Sequence, residues 1–158
     1  MIISVCIATY NGSNYVEEQI LSILDQLTKK DEIILVDDCS KDNTLQIIKL
    51  IKDPRIKIYK NKTNVGVSAT FGRAISLAKG DVIFTSDQDD IWYPNKVRSI
   101  IDIFNNDKFL TLVITDAKII DNNNLVLTES YFEKRGGFKS SFLSNMIKNK
   151  YLGCTMAF

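Results

Sequence analysis

Three carboxylates occupy four positions in the stretch SDQDDIW, at Asp87, Asp89 and Asp90. Carboxylates this close disfavour one another's ionised form unless a positive charge sits among them. A hard divalent cation suits them: it takes one or two carboxylates and leaves its other positions to water and ligand phosphates. Asp87 and Asp89 are two apart, so on extended backbone they point to the same side and are expected to share such a cation. Asp90 is expected to face away and serve the following turn. Capping alone would need one carboxylate and leave two unexplained.

Two further polar clusters follow apolar runs, ATYNG at 8–12 and DDCS at 37–40. Asp and Asn in such loops often only cap helices or form turns, and for Asp37 and Asp38 taken alone that reading stands level with a functional one. Their convergence carries more weight than any one of them. In a parallel α/β sheet, ligands bind outside the carboxyl ends of the strands, where strand order reverses. An order 3-2-1-4 would put Tyr10 and Asn11 opposite Asp87 and Asp89.

What the chain lacks narrows the chemistry. Among 158 residues there is no histidine, which removes Ser-His-Asp and Cys-His nucleophiles, an imidazole base and a histidine-ligated zinc. Cys6, Cys39 and Cys154 are scattered, odd in number and without a CxxC pair, so neither a disulfide framework nor a thiolate zinc site is expected, and a reducing compartment fits. Twenty basic and 19 acidic residues leave a net charge of +1, which argues against nucleic acid as a partner. No GxxxxGK[ST] occurs and no GxGxxG follows the first apolar run, which weakens NTPase and dinucleotide readings. The opening MIISVCIATYNG has no basic n-region and its apolar run is too short to read as a signal peptide or membrane span, and no later run approaches eighteen apolar residues.

The elements that must position these clusters alternate regularly. IISVCIA (2–8), EIILVDD (32–38) and DVIFTSD (81–87) read as strands buried on both faces, and RIKIY (55–59) as a half-exposed edge strand. FLTLVITDAKII (109–120) reads as a fifth strand, followed by the turn-rich DNNN. Helices are expected from Asn14, as a cap paired with Glu17, along Val16, Ile20, Ile23, Leu24 and Leu27. Others are expected along Leu45, Ile48 and Ile51, over 66–79 on Val67, Phe71, Ala74, Ile75 and Ala78 with Gly80 as its stop, and after Pro94 along Val97, Ile100, Ile101 and Phe104. Trp92 and Tyr93 read as packing, Arg73 as a solvated helix residue, and 131–141 as a basic, glycine-bearing surface loop. The result is an α/β fold with a mostly parallel, doubly wound sheet flanked by helices. NKYLGCTMAF stops inside an apolar segment, as a fragment of a longer domain would.

The ordered motifs SVCIATYNG, EIILVDDCSKDNT, NVGVSATFGRAISLAKGD and SDQDDIW resemble the nucleotide-sugar half of a family 2 glycosyltransferase with the Rossmann-like GT-A fold. SDQDDIWYPNK with GCTMAF resembles its rhamnosyltransferase-like branch. The resemblance covers essentially the whole chain, residues 1–158, as one incomplete nucleotide-sugar-binding domain. It implies an inverting transferase that uses a UDP- or dTDP-sugar with Mg2+ or Mn2+, passes the sugar to a glycan or lipid-linked acceptor, and works in the cytoplasm at the inner face of the membrane through peripheral association. Ala8, Thr9, Tyr10, Asn11, Asp87 and Gln88 would contact the nucleotide-sugar, and Asp38 would accept from the imide N–H of its base. Asp87-Gln88-Asp89 matches the DXD motif, with Asp87 near the ribose and metal and Asp89 a metal ligand. Where many members carry an arginine, this chain has Phe71, with Arg73 two positions on. The family's general base is a carboxylate far downstream, expected beyond Phe158; neither Asp116 nor Glu133 is assigned that part, and Asp116 is expected to line the donor pocket. A non-catalytic nucleotide-sugar-binding module is the competing class. A nucleotidyltransferase fits less well, since TYNGSNY is not a basic, glycine-rich triphosphate loop.

Overall fold

The apolar runs form the sheet because their residues meet covered surface on both sides. The structure, a computed structural model, describes residues 1–137 and 152–158. β1 (Ile3–Thr9), β2 (Glu32–Asp37), β3 (Ile56–Lys60), β4 (Val82–Ser86), β5 (Val113–Ile114) and β8 (Met156–Ala157) assemble in the order β3-β2-β1-β4-β8-β5. β1 pairs in parallel with β2 and β4, and β2 with β3. The expected order 3-2-1-4 is therefore present, and β8 extends it by running antiparallel between β4 and β5.

Alternation along the strands sorts the helices. Ile3, Val5 and Ile7 of β1, with Ile33 and Leu35 of β2, face α1 (Val16–Leu24), α2 (Thr44–Leu50) and α4 (Lys96–Asn106), meeting Ile20, Ile23, Ile48, Val97, Ile100 and Phe104. Cys6, Ile34 and Val36 point the other way, onto Ala74 of α3 (Val67–Leu77). Each fully buried Ile or Leu contributes about 1.5–3 kcal/mol by leaving water, so the first face dominates stability. Both faces are covered, as a doubly wound sheet requires.

Several boundaries differ from the sequence reading, each for a local reason. α1 starts at Val16 with no side-chain cap; Asn14 lies in the preceding turn, where the Gly12 carbonyl accepts from the N–H groups of Tyr15 and Val16. α3 stops at Leu77, before Gly80, because the Lys79 and Gly80 N–H groups turn to the Ser4 hydroxyl and the Glu32 carboxylate. Gly80 is needed for that approach: a Cβ there would stand 2.6 Å from the Ser4 nitrogen. Val67, at the start of α3, is exposed, and Thr70 takes the inward place expected of it.

The single strand expected over 109–120 is broken. β5 holds only two residues, and Ile119–Ile120 (β6) leaves the main sheet to form a hairpin with Val126–Thr128 (β7). Asp121 turns that hairpin by accepting from the N–H groups of Asn123 and Leu125. The loop expected over 131–141 begins as a helix instead, α5 (Tyr131–Lys134), capped by Ser130 and anchored by buried Phe132; residues 138–141 lie outside the described residues, as do 149–151 of the apolar end.

Candidate functional site

The loops after β1, β2 and β4 are stitched into one rim. Gln88 reaches from the end of β4 to the backbone of Tyr10, accepting from its N–H at 2.9 Å and donating to its carbonyl at 3.1 Å. Across the other side of β1, the Asn11 N–H donates to the Ser40 hydroxyl (3.0 Å) and the Asn11 side chain accepts from the Lys41 N–H (2.9 Å). Gly12 and Ser13 donate in turn to Thr44 and Asp42. Asn11 adopts a positive φ of 50° to make this turn, a conformation that asparagine tolerates better than most residues. The expected convergence of the three clusters is a feature of the fold.

Within that rim the expected nucleotide contacts divide. Tyr10 is exposed and Ala8 half-exposed, whereas Thr9 is buried with its hydroxyl donating to Asp37. Asp37 also accepts from the Ser40 N–H. Asp38 is only 3% exposed and accepts from Asn61 Nδ2 and Val65 N at Oδ1 and from Gly66 N at Oδ2, at 2.8–2.9 Å. Burial pushes its carboxyl up, but donation from Asn61, Val65, Gly66 and Thr70 outweighs that and holds it below the usual range. Asp38 thus organises the 61–66 loop and the start of α3. Arg73 joins the same network, donating to the Lys60 carbonyl and to Asn61 Oδ1; it is not a bare solvated side chain.

The end of β4 is built differently. The strand stops at Ser86 and the chain turns at Gln88 and Asp89. That turn corrects the expectation for Asp90. Extended backbone would separate Asp87 from Asp90, but the turn brings them together, and Asp89 is left exposed at its tip. Burial, then the neighbouring Asp90 and Asp89 carboxylates, push the Asp87 carboxyl up; a hydrogen bond from the Cys154 thiol partly offsets this. Asp90 is likewise raised, chiefly by burial, against the pull of the same thiol and of Lys96.

Two residues of this site were missed in the sequence. Cys154 arrives on the 3₁₀ turn Gly153–Thr155 just before β8, and its sulfur lies with carboxylate oxygens of Asp87 and Asp90, all within 4.8 Å of one another. Only the antiparallel insertion of β8 beside β4 puts it there, and no local spacing signals that pairing. Lys96, in the first turn of α4, lies over the Trp92 ring at 4.2 Å and donates to the Cys154 carbonyl at 3.3 Å. Burial pushes its ammonium down while Asp90 holds it up. Trp92 packs as expected, buried against Phe84. Tyr93 does not: it is exposed at the mouth of a cavity.

That cavity, of about 780 Å³, opens beside the acidic turn. Asp89, Asp90, Trp92 and Lys96 form one end, and Thr115, Asp116, Lys118, Ile120 and Val126 lead from it toward the hairpin. Asp116 lies on its wall with the carboxylate turned to Ser130 and Phe132 N–H, so it fastens α5. The donor set at the β4 end, with two carboxylates whose ionised forms are disfavoured by burial and by neighbouring carboxylate charge, fits a divalent cation. Attached to the rim of three loops, it can hold a charged, phosphate-bearing ligand beside a cavity large enough for a second substrate.

The model of the family described as "Glycosyl transferase family 2" matches residues 4–158. The chain is 31% identical over 132 residues to the chondroitin synthase of Pasteurella multocida (strain Pm70), covering 82% of this chain and 14% of that protein. It is 36% identical over 107 residues to the Escherichia coli UDP-Glc:alpha-D-GlcNAc-diphosphoundecaprenol beta-1,3-glucosyltransferase WfaP, covering 68% of this chain and 43% of that one. Among solved structures, S. aureus TarS 1–349 in complex with UDP-GlcNAc superposes with a TM-score of 0.63 at 28% identity, over 67% of this chain and 32% of that one. The mannosyltransferase PcManGT from Pyrobaculum calidifontis, in complex with GDP-Man and Mn2+, gives 0.65 at 20% identity, over 75% and 35%, and shares the fold. The chain spans less than half the length of each of these relatives.

Proposed function

Because the chain belongs to glycosyl transferase family 2, we propose that it forms the donor half of an inverting, metal-dependent transferase of cell-envelope glycan synthesis. The observation that carries this reading is the rim in which Gln88 clamps Tyr10 while Asn11 and Ser40 join β1 to β2, with the acidic turn beside it. A UDP- or dTDP-sugar is the proposed donor. UDP-GlcNAc bound to TarS supports the uridine form, and the WfaP name supports a lipid-linked acceptor. No described helix is long and apolar enough to cross a membrane; such an acceptor would bring the protein to the inner face of the membrane peripherally.

The nucleobase would lie on Ala8 and Tyr10, on a loop whose shape Thr9 and Asn11 hold. Asp38 Oδ2 accepts from the Gly66 N–H, and since a carboxylate oxygen has two lone pairs it is the proposed acceptor for an imide N–H. The diphosphate would lie toward Asp87, Asp89 and Asp90, with Gln88 fixing the turn. An acceptor hydroxyl in the adjoining cavity would attack the anomeric carbon from the face opposite the diphosphate. The bond from that carbon to the diphosphate oxygen breaks, and its electron pair leaves with the nucleoside diphosphate. A Mg2+ or Mn2+ held by Asp87 and Asp90, with Asp89 bound directly or through water, would stabilise that leaving charge. The proton of the acceptor is assigned to a carboxylate C-terminal to Phe158.

Calorimetric titration of UDP and dTDP tests the reading. Binding should strengthen about tenfold or more with Mn2+, a gain of about 1.4 kcal/mol. Absence of binding in either condition would overturn the donor assignment. Binding with no sugar transfer by the parent protein would favour the non-catalytic module.

A further inference from the structure

We propose that Cys154 is itself a ligand of the cation at the end of β4, shifting the site's preference from Mg2+ toward Mn2+ and softer divalent ions. The inference rests on the reading that a cation binds between Asp87 and Asp90, and it goes beyond that reading in naming the third donor and the selectivity that follows.

The geometry is specific. One donor atom from each of Asp87, Asp90 and Cys154 lies within 4.8 Å of the other two, a spread that a single ion with metal–oxygen bonds of about 2.0–2.2 Å and metal–sulfur bonds of about 2.3 Å closes with small side-chain movement. The Cys154 sulfur lies beside both carboxylates, so an ion bound among the three would displace the thiol proton to solvent.

Cys154 is held there by its surroundings. Thr85 of β4 donates to the Gly153 carbonyl, the Thr155 N–H and hydroxyl bond the Leu152 carbonyl, and Ile83 and Phe158 exchange backbone hydrogen bonds. The backbone that carries Cys154 is therefore fixed by the β4–β8 pairing. Lys96 is the cation facing this cluster from α4. Its ammonium is occupied by the Cys154 carbonyl and the Trp92 ring, and among the described residues Asp87 and Asp90 enter no ion pair. A thiolate among hard oxygen ligands discriminates by softness: Mg2+ gains little from sulfur, while later divalent ions gain progressively more.

The test uses the metal alone. The chain has three cysteines; Cys6 is sealed in the core and Cys39 lies near the Lys62 carbonyl. In a Cys6→Ala, Cys39→Ser chain, Cys154 is the sole thiol. Titrating Co2+ or Cd2+ into it should develop a sulfur-to-metal charge-transfer band. Adding Cys154→Ser should abolish that band and lower the ratio of Mn2+ to Mg2+ affinity about tenfold, with thermal unfolding checking that the variant is folded. No band in the single-thiol chain overturns the proposal even where Cys154→Ser does not fold, and so does a band that survives Cys154→Ser. Mn2+-dependent UDP binding without a band would remove the thiol ligand and leave the donor reading standing. A band without any UDP binding would do the reverse.

Discussion

The ends of β2 and β4 carry aspartates in the same sheet, buried after β2 and half-buried after β4, and their partners separate them. Asp38, after β2, receives three N–H donors from Asn61, Val65 and Gly66. Asp87 and Asp90, after β4, face each other and a thiol, with one lysine nearby. Donors inside the protein make the first carboxylate part of the scaffold, its ionised form favoured in the folded state. The second pair carries charge that the fold does not neutralise, which suits a ligand-binding role.

The largest expected effect breaks the comparison at the scaffold side. Asp38→Ala leaves the Val65 and Gly66 amides without their acceptor and should cost about 3 kcal/mol, from lost charge-assisted bonds and unsatisfied buried donors. Urea unfolding measures it. Asp38→Asn keeps the shape and should lose less. Since Asp38 is also the proposed acceptor for the nucleobase, the Asn variant should weaken UDP binding equally with and without Mn2+. A loss under about 0.5 kcal/mol for the Ala variant would show that Asp38 is not a scaffold residue.

At the other end, Asp90→Asn should stabilise the metal-free chain while impairing cation binding. The sign follows from the raised carboxyls of Asp87 and Asp90. A group raised on folding binds its proton more tightly in the folded state, so its ionisation weakens the fold at neutral pH and the penalty fades as pH falls through the folded value toward 3.8. Removing one charge should raise Tm by a few degrees at pH 7 and less at pH 4, while Mn2+ affinity drops about tenfold or more. A fall in Tm at pH 7 would place Asp90 with Asp38 as a structural residue.

These two regions also explain what could be read from sequence. The buried strands, their order and the meeting of Tyr10 with the β4 end follow from apolar runs separated by helical periodicity, signals that span only a few residues each. The site's detail depended on information of another kind. Asp87, Asp89 and Asp90 were identified as a cluster, but their directions depended on where β4 stops, and one residue of turn exchanges which side chains face inward. Cys154 depended on a pairing some 70 residues away in the chain. Asp38 had capping and binding readings of equal standing because its donors come from the 61–66 loop, whose path has no periodicity to reveal it.

A smaller effect lies at Asp42, which fastens the β2 loop to the β1 loop by accepting from Thr44 and Ser13. Burial pushes its carboxyl up, but those donors outweigh it and lower it to about 2 from 3.8. A depressed carboxyl stabilises the fold above pH 3.8, and that contribution is lost as pH falls toward 2. Asp42→Asn should therefore cost about 0.5 kcal/mol at pH 7, within the range of exposed cap losses, and the gap from the unsubstituted chain should close between pH 4 and 2. A gap independent of pH would assign the effect to shape and not charge.

A comparable effect probes the joint between the two regions. A Cβ on Gly12 would stand 2.3 Å from Gln88 Oε1 and 2.5 Å from Gln88 Cδ, and the Gly12 backbone is not in the left-handed region, so Gly12→Ala acts through contact and not through φ. It should push the Gln88 amide off the Tyr10 backbone, where it makes both of its bonds. Gln88→Ala removes the same bonds directly. If the clamp is the shared cause, the two substitutions combined should cost less than their sum, with a coupling of about 0.5–1 kcal/mol. UDP binding should weaken in either single variant, because Tyr10 loses its tie to the acidic turn. Strict additivity in stability would mean that Gly12 serves only the start of α1 and does not act through the Gln88 clamp.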